Sequence, residues 1–181
     1  MEFHELISLR QSDRKYTDKP VKREMINRCI EAARMAPSAS NSQPWTFIVI
    51  DDIEIKDRVA NKTFGPLKSF NKFVPQAPVI IAIVQEKPKI VTELGGRIKN
   101  KEYPLMDIGI AAEHICLQAA EIGLGSCMLG WFDEKAVKEI LKVPDNKNIP
   151  LLITLGYVPV DYKHRKKGRK SLDKILKYNS Y

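Results

Sequence analysis

The chain has 181 residues, 44% of them hydrophobic, and a formal net charge of +8. This length and apolar content suit one domain with a substantial core. No run of about 18 apolar residues occurs, and the N-terminal MEFHELISLR carries charges where a signal peptide has its apolar centre, so we expect a cytoplasmic protein with no membrane partner. The positive charge indicates an anionic partner: a nucleic acid, a nucleotide cofactor or an acidic substrate.

Helix and strand patterns follow one another along the chain. FHELISLR predicts a short helix that ends near Arg10, and the apolar spacing over residues 22–35 predicts an amphipathic helix that Pro37 stops. The near-continuous apolar runs WTFIVI, PVIIAIV and PLLITLGYV predict strands. Strands of this kind are covered on both faces, so helices should pack above and below the sheet.

The longest predicted helix covers residues 104–123, with a proline near its start and a glycine just past its end. Its polar stripe is narrow, which indicates burial around most of its circumference, in the core and also at a subunit interface. GSCMLGWF predicts a short strand, and DEKAVKEILKV predicts a helix with Asp133 as its N-cap.

Two segments have a different composition. Residues 85–104 are charged, contain Gly95 and Gly96, and predict a mobile excursion between two regular elements. Residues 160–181 form a strongly basic tail, for which a solvated surface is the simplest interpretation.

Cys29, Cys116 and Cys127 are widely spaced and flanked by apolar residues, which is typical of buried, reduced thiols. No metal site is predicted from them. The three histidines lie in unrelated contexts, and no nucleophile–histidine arrangement can be assigned.

The motif RQSDR places Arg10, Ser12 and Arg14 at alternate positions. Residues two apart lie on one side of an extended segment, so two guanidinium groups and a hydroxyl can converge on one anion, such as a phosphate. Lys167 and Arg169 have the same spacing near the other end of the chain. Surface charge without a ligand is the alternative for both pairs.

The stretch PSASNSQPW joins the second helix to the first strand. Pro37 and Pro44 restrict their own backbone and that of the residues before them, which stiffens the segment. Its serines, asparagine and glutamine either present donors and acceptors to a flat ligand with a polar edge or cap the backbone of the turn itself. The residues alone leave both interpretations open.

Four stretches together resemble the FMN-dependent nitroreductase family, over residues 9–172: RQSDRKYTDKPV, AARMAPSASNSQPWTFIVI, MDIGIAAEHICLQAAEIGLGSCMLGWF and LGYVPVDYKHRKKGRKSL. The resemblance implies an α+β fold with a mixed central sheet flanked by helices and a long buried central helix. It implies one domain over residues 1–181, in which 85–104 is a variable excursion and 160–181 a basic extension. It also implies an intertwined homodimer with FMN at the subunit interface.

In that family the R-x-S-x-R motif holds the FMN phosphate and ribityl chain, and a C-terminal basic pair closes the phosphate site. The P-S-x-x-N loop reaches the flavin of the other subunit, and backbone after the GSCM strand lies near the isoalloxazine ring. Carried onto this sequence, the implied cofactor-binding residues are Arg10, Ser12 and Arg14; Lys167 and Arg169; Pro37, Ser38, Ala39 and Asn41; and Leu129, Gly130 and Trp131.

The resemblance implies an FMN-dependent oxidoreductase that takes electrons from NADH or NADPH and passes them, by a ping-pong mechanism, to nitroaromatics, quinones or a related small molecule. No catalytic side chain is expected. The first alternative is a flavin-binding module without turnover, in which the bulky Trp131 and residues 85–104 block the acceptor. The second, a nucleic-acid-binding domain based on KHRKKGRK, ranks last because few aromatic residues accompany the basic run. We therefore expect no nucleic-acid partner.

Overall fold

Six α-helices and four β-strands make up the regular structure of residues 1–65 and 71–181, the part of the chain that our computed structural model describes. In chain order they are α1 (Phe3–Leu9), α2 (Arg23–Arg34), β1 (Trp45–Ile50), α3 (Ile53–Ala60), β2 (Val79–Gln85), α4 (Ile90–Lys99), α5 (Tyr103–Glu121), β3 (Gly125–Leu129), α6 (Glu134–Leu141) and β4 (Asn148–Gly156).

The strands form one sheet in the order β1-β2-β4-β3, and each neighbouring pair is antiparallel. A mixed sheet was expected, and the observed sheet is antiparallel instead. Among the described residues, parallel pairing is limited to an isolated bridge between Ser12 and Ser126 of β3. That bridge attaches the N-terminal segment to the edge of the sheet.

Helices cover both faces of the sheet, as the apolar strands predict. On one face α2 and α5 pack against Ile81 and Ile83 of β2, and on the other α3 and α6 lie over Ile80 and Ala82. Successive residues of a strand point to opposite faces, so every one of these side chains is buried. The β-branched residues of β2 suit such a position because their stiff side chains pack well on a pleated surface.

The other elements lie close to their predicted positions. The bounds of α1, α2, α5 and the four strands agree with the sequence patterns to within a few residues, and α5 is the longest helix. Asp133 is the N-cap of α6 as predicted, because its Oδ1 accepts a hydrogen bond of 3.1 Å from the N–H of Ala136. Helix α3 was not predicted, although Asp52 caps it in the same way through the N–H of Ile55.

The segment 85–104 differs from expectation because it contains the regular helix α4. The helix ends at Asn100, which adopts a left-handed conformation with a φ of 50°. Gly96 permits the close return of the chain, since a Cβ there would lie 2.7 Å from the carbonyl oxygen of Lys101. The glycine pair that suggested an irregular excursion therefore belongs to the last turns of a helix and its exit.

All three cysteines are buried and free, as predicted. Burial raises the pKa of Cys29 and of Cys116 to about 12, so both remain thiols at neutral pH. In the described ranges, no helix has both the length and the apolar content that a membrane crossing needs.

Candidate functional site

The two ends of the chain meet in a cationic pocket of about 250 Å³. It lies between the segment after α1 and the basic extension, 145 or more residues later in the sequence. Five of its eight lining residues are cationic. The lining residues are Arg10, Gln11, Ser12, Arg165, Lys166, Lys167, Gly168 and Arg169.

Hydrogen bonds to backbone carbonyls hold the extension in place. The Lys167 ammonium donates to the carbonyl of Ile7, at 2.6 Å, and to that of Arg10. These carbonyls belong to the C-terminal end of α1, where a cation also interacts favourably with the helix dipole. The Arg165 backbone N–H donates to Gln11 Oε1 at 3.1 Å, and its guanidinium donates to the carbonyl of Ser12.

The R-x-S-x-R segment has two different sides, as its alternation predicts. Gln11 and Asp13 are buried, and the amide of Gln11 donates to Asp13 Oδ1 at 2.9 Å. Asp13 also fixes the segment to β3, since its N–H donates to the Ser126 carbonyl and its Oδ2 accepts from the Ser126 N–H. Ser12 and Arg14 alternate with these two residues, and both partly offset the rise in the pKa of the Cys127 thiol that burial causes.

The cationic groups of the pocket crowd one another. Burial lowers the pKa of Lys167, and the neighbouring charges of Arg10 and Arg169 lower it further. Arg10 Nε is buried and lies 3.1 Å from Glu113 Oε1, but it is not aligned for a hydrogen bond. Among the described residues, Glu113 is the carboxylate that acts on Lys167, which the charges of Arg10 and Arg169 oppose. A phosphate monoester, with a charge of roughly −1.5 to −2, would match this excess.

Arg14 does not line this pocket, although it belongs to the same motif. Its guanidinium lies beside Cys127, where its charge and hydrogen bond partly offset the rise in the pKa of the thiol that burial causes. Cys127 is one residue beyond Ser126 on β3. Because Arg14 acts on Cys127, it lies between the pocket and the far end of that strand. The strand rises about 10 Å from Ser126 to Leu129, at roughly 3.3 Å per residue.

The chain beyond that end is fixed from the other face of the sheet. Leu129 is buried, whereas the side chain of Trp131 is 58% exposed. Asn71 holds the backbone here, because its Nδ2 donates to the Trp131 carbonyl at 2.9 Å and to the Thr63 carbonyl at 3.0 Å. The backbone of Gly130 and Trp131 thus has a defined position at the end of β3.

The loop over residues 37–43 is strongly constrained. Ser40, Asn41 and Gln43 have φ values of 51°, 52° and 48°, which residues with a Cβ rarely adopt. Ser38 Oγ accepts from the Gln43 N–H at 2.9 Å, so part of the polar content does cap the loop itself. The capping interpretation is therefore confirmed for Ser38, and the presentation of donors to a ligand stays a prediction.

The loop over residues 37–43 is separate from the lining of the cationic pocket. Within the described ranges, the pocket lining includes none of the four loop residues that the resemblance implies, Pro37, Ser38, Ala39 and Asn41. The structure thus brings Arg10, Ser12, Lys167 and Arg169 together, and the four implied loop residues do not join them.

Three residues that position parts of the site were not predicted from the sequence. Gln11 and Arg165 join the two ends of the chain, and Asn71 positions the carbonyl of Trp131. The basic run KHRKKGRK contains Arg165, but spacing does not distinguish it, because Arg165, Lys167 and Arg169 all stand two residues apart. Nothing in the sequence around Asn71 distinguishes it from other polar residues.

The sequence matches the family model described as "Nitroreductase family" over residues 7–72 and 66–157. A relative from Archaeoglobus fulgidus, whose name pairs NADH dehydrogenase with NAD(P)H nitroreductase, is 33% identical over 166 residues, covering 87% of this chain and 86% of the relative.

Two solved structures of nitroreductases are also similar to this chain. The crystal structure of a nitroreductase family protein from Clostridium novyi NT has a TM-score of 0.78 and 35% identity, covering 89% of this chain and 87% of that one. An FMN-dependent nitroreductase from Clostridium difficile R20291 has a TM-score of 0.75 and 29% identity, covering 97% and 98%. Sequence and architecture thus agree over most of the molecule, and the chain belongs to the nitroreductase family.

Proposed function

We propose that this protein is an FMN-dependent NAD(P)H oxidoreductase of the cytoplasm that reduces nitroaromatics, quinones or a related acceptor by a ping-pong mechanism. The observation that carries the proposal is the cationic pocket that the two ends of the chain form. Its crowded charges suit the phosphate of FMN, and it lies about one strand length from the backbone of Gly130 and Trp131.

The residues of the pocket have separate tasks in this proposal. Arg10 and Arg169 would bind the phosphate through charge-assisted hydrogen bonds, which are about twice as strong as neutral ones. Lys167 keeps the extension against α1 and adds a third charge. Ser12 and Arg14, on the outer side of their segment, would hold the ribityl chain along β3. When bound, FMN supplies the two-electron chemistry between NAD(P)H and the acceptor.

We propose a homodimer as the functional form. Loop 37–43 does not line the pocket of its own chain, which supports a role at the flavin of a second copy. Leu105, Met106 and Ile110 of α5 are exposed, and a second copy would remove these apolar side chains from water. A dimer would thus complete the site and cover this surface.

Purification and flavin titration test the proposal. The protein should be yellow, should release FMN on denaturation, and should oxidise NADH or NADPH in the presence of menadione or nitrofurazone. Analytical ultracentrifugation should give the mass of two chains. A colourless protein that takes up no added FMN would contradict the FMN-dependent activity. A monomer that binds FMN normally would contradict the proposed homodimer.

The exposed ring of Trp131 favours a second candidate, a flavin-binding module without efficient turnover. A large side chain next to the proposed ring position can restrict access for nicotinamide. Anaerobic mixing with NADH and with NADPH separates the two functions, because bound flavin that neither donor reduces would favour the module. Rapid reduction in Trp131→Ala alone would identify the tryptophan as the obstacle.

A further inference from the structure

The peptide groups on both sides of Ala39 are bound by side chains from two different helices. The N–H of Ala39 donates to both carboxylate oxygens of Asp107 in α5, at 3.2 and 3.1 Å. Its carbonyl accepts a hydrogen bond of 3.2 Å from Thr92 Oγ1 in α4. Ala39 has no functional group of its own, so its backbone is what the two helices hold.

Further hydrogen bonds connect the start of α4 to the loop over residues 37–43. Thr92 Oγ1 lies 2.8 Å from Ser42 Oγ, and the backbone N–H of Lys89 donates to the same serine oxygen at 3.3 Å. The ammonium of Lys89 donates to the carbonyl of Ser40 at 3.0 Å. The start of α4 therefore contacts the loop at Ala39, Ser40 and Ser42.

Thr92 and Asp107 are both buried, each with 5% of its surface exposed. Burial raises the pKa of Asp107, and the Ala39 N–H opposes that rise because it stabilises the carboxylate. Buried polar groups of this kind are costly unless their partners are present. The loop in turn requires such contacts, since left-handed residues persist only where surrounding structure holds them.

We propose that Thr92 and Asp107 are positioning residues that hold loop 37–43 in its FMN-binding conformation through the backbone of Ala39. The inference deepens the proposed function and rests on it, because it takes the loop as part of the flavin site. Neither side chain needs to touch FMN. The segment 85–104 thereby acquires a defined task, which is to support the cofactor loop from α4.

Thr92→Val tests the proposal in the full-length protein, because valine keeps the shape of threonine and removes its hydroxyl. We expect FMN to bind about tenfold more weakly, in line with the loss of one or two neutral hydrogen bonds. Thr92→Ser retains the hydroxyl and should bind FMN within about twofold of the unmodified protein. Thr46→Val is the control, since the hydroxyl that it removes donates to Glu86 Oε1 and not to residues 37–43.

Hydrogen exchange of the FMN-free protein provides a readout that does not depend on activity. The amides over residues 39–43 should exchange faster in Thr92→Val, while those of β2 stay protected. Asp107→Leu should have the larger effect on the same amides, and its melting temperature shows whether it folds. If Asp107→Leu does not fold, the positioning role is tested by Thr92→Val alone.

The outcomes distinguish this inference from the proposed function. Failure of the unmodified protein to bind FMN would overturn both. Normal FMN binding by the unmodified protein and by Thr92→Val, or equal weakening by Thr92→Val and Thr92→Ser, would overturn the positioning role and leave the oxidoreductase proposal intact.

Discussion

Replacement of Arg169 with glutamine removes one cation from the pocket between the two ends of the chain. The Arg169 guanidinium donates to the carbonyl of the preceding Gly168, at 2.8 Å, and forms no ion pair within the described ranges. Because the side chain is exposed, its loss should change the free energy of unfolding by less than about 0.5 kcal/mol. An effect on FMN would then report binding rather than folding.

A hydrogen bond to a charged group contributes about 1.5 to 3 kcal/mol, so Arg169→Gln should weaken FMN binding roughly 10- to 150-fold. We expect the lower part of this range. Arg10 and Lys167 keep their positive charges in this variant and still line the pocket. The residual charge thus compensates in part.

Fluorescence titration with FMN and with riboflavin is the appropriate assay. Riboflavin has the same ring and ribityl chain but no phosphate, so Arg169→Gln should reduce FMN affinity and leave riboflavin affinity unchanged. Lys170→Gln is the matched control: it also lowers the net charge from +8 to +7, but Lys170 does not line the pocket. Equal losses in the two variants, or an equal loss for riboflavin, would refute the assignment.

Three further predictions concern other parts of the molecule. Ile81→Ala should lower the free energy of unfolding by about 2 to 5 kcal/mol in urea denaturation, whereas Ile90→Ala, at a position 84% exposed, should have little effect. Arg14→Ala should weaken FMN binding by about 1.5 to 3 kcal/mol, and an unchanged titration would show that Arg14 does not contact the cofactor. Burial raises the pKa of Asp107 above its ordinary 3.8, so the stability this carboxyl contributes is fully present below about pH 3.8 and declines as pH rises through the folded-state pKa. The unfolding free energy of the unmodified protein relative to Asp107→Asn should therefore fall across that window, and a constant difference would contradict this.

Features that depend on nearby residues were predictable. The capping of α6 by Asp133 involves an N–H only three residues away, and β2 was recognisable because its apolar run is buried on both faces. The alternation of Ser12 and Arg14 with Gln11 and Asp13 also follows from extended backbone alone. In each case the physical cause lies within a few residues of its effect.

The error at α4 has the opposite cause. Gly95 and Gly96 weaken a helix locally, and charged residues around them suggest solvent. Contacts with distant parts of the chain override this preference, because Thr92 and Lys89 bind the loop over residues 38–42. Helix propensity is a weak predictor where tertiary contacts of this kind exist.

The sequence by itself determined most of the helices and strands, with α3 and α4 as the exceptions, and it determined which residues alternate and which residue types have the charge to bind an anion. Only the tertiary structure decided that Lys167 meets the end of α1, that Arg165 joins the pocket while Arg14 lies beside Cys127, and that Asp107 holds Ala39. The reason is physical: local patterns restrict the backbone over a few residues, whereas contacts between distant residues depend on how the packed layers bring them together.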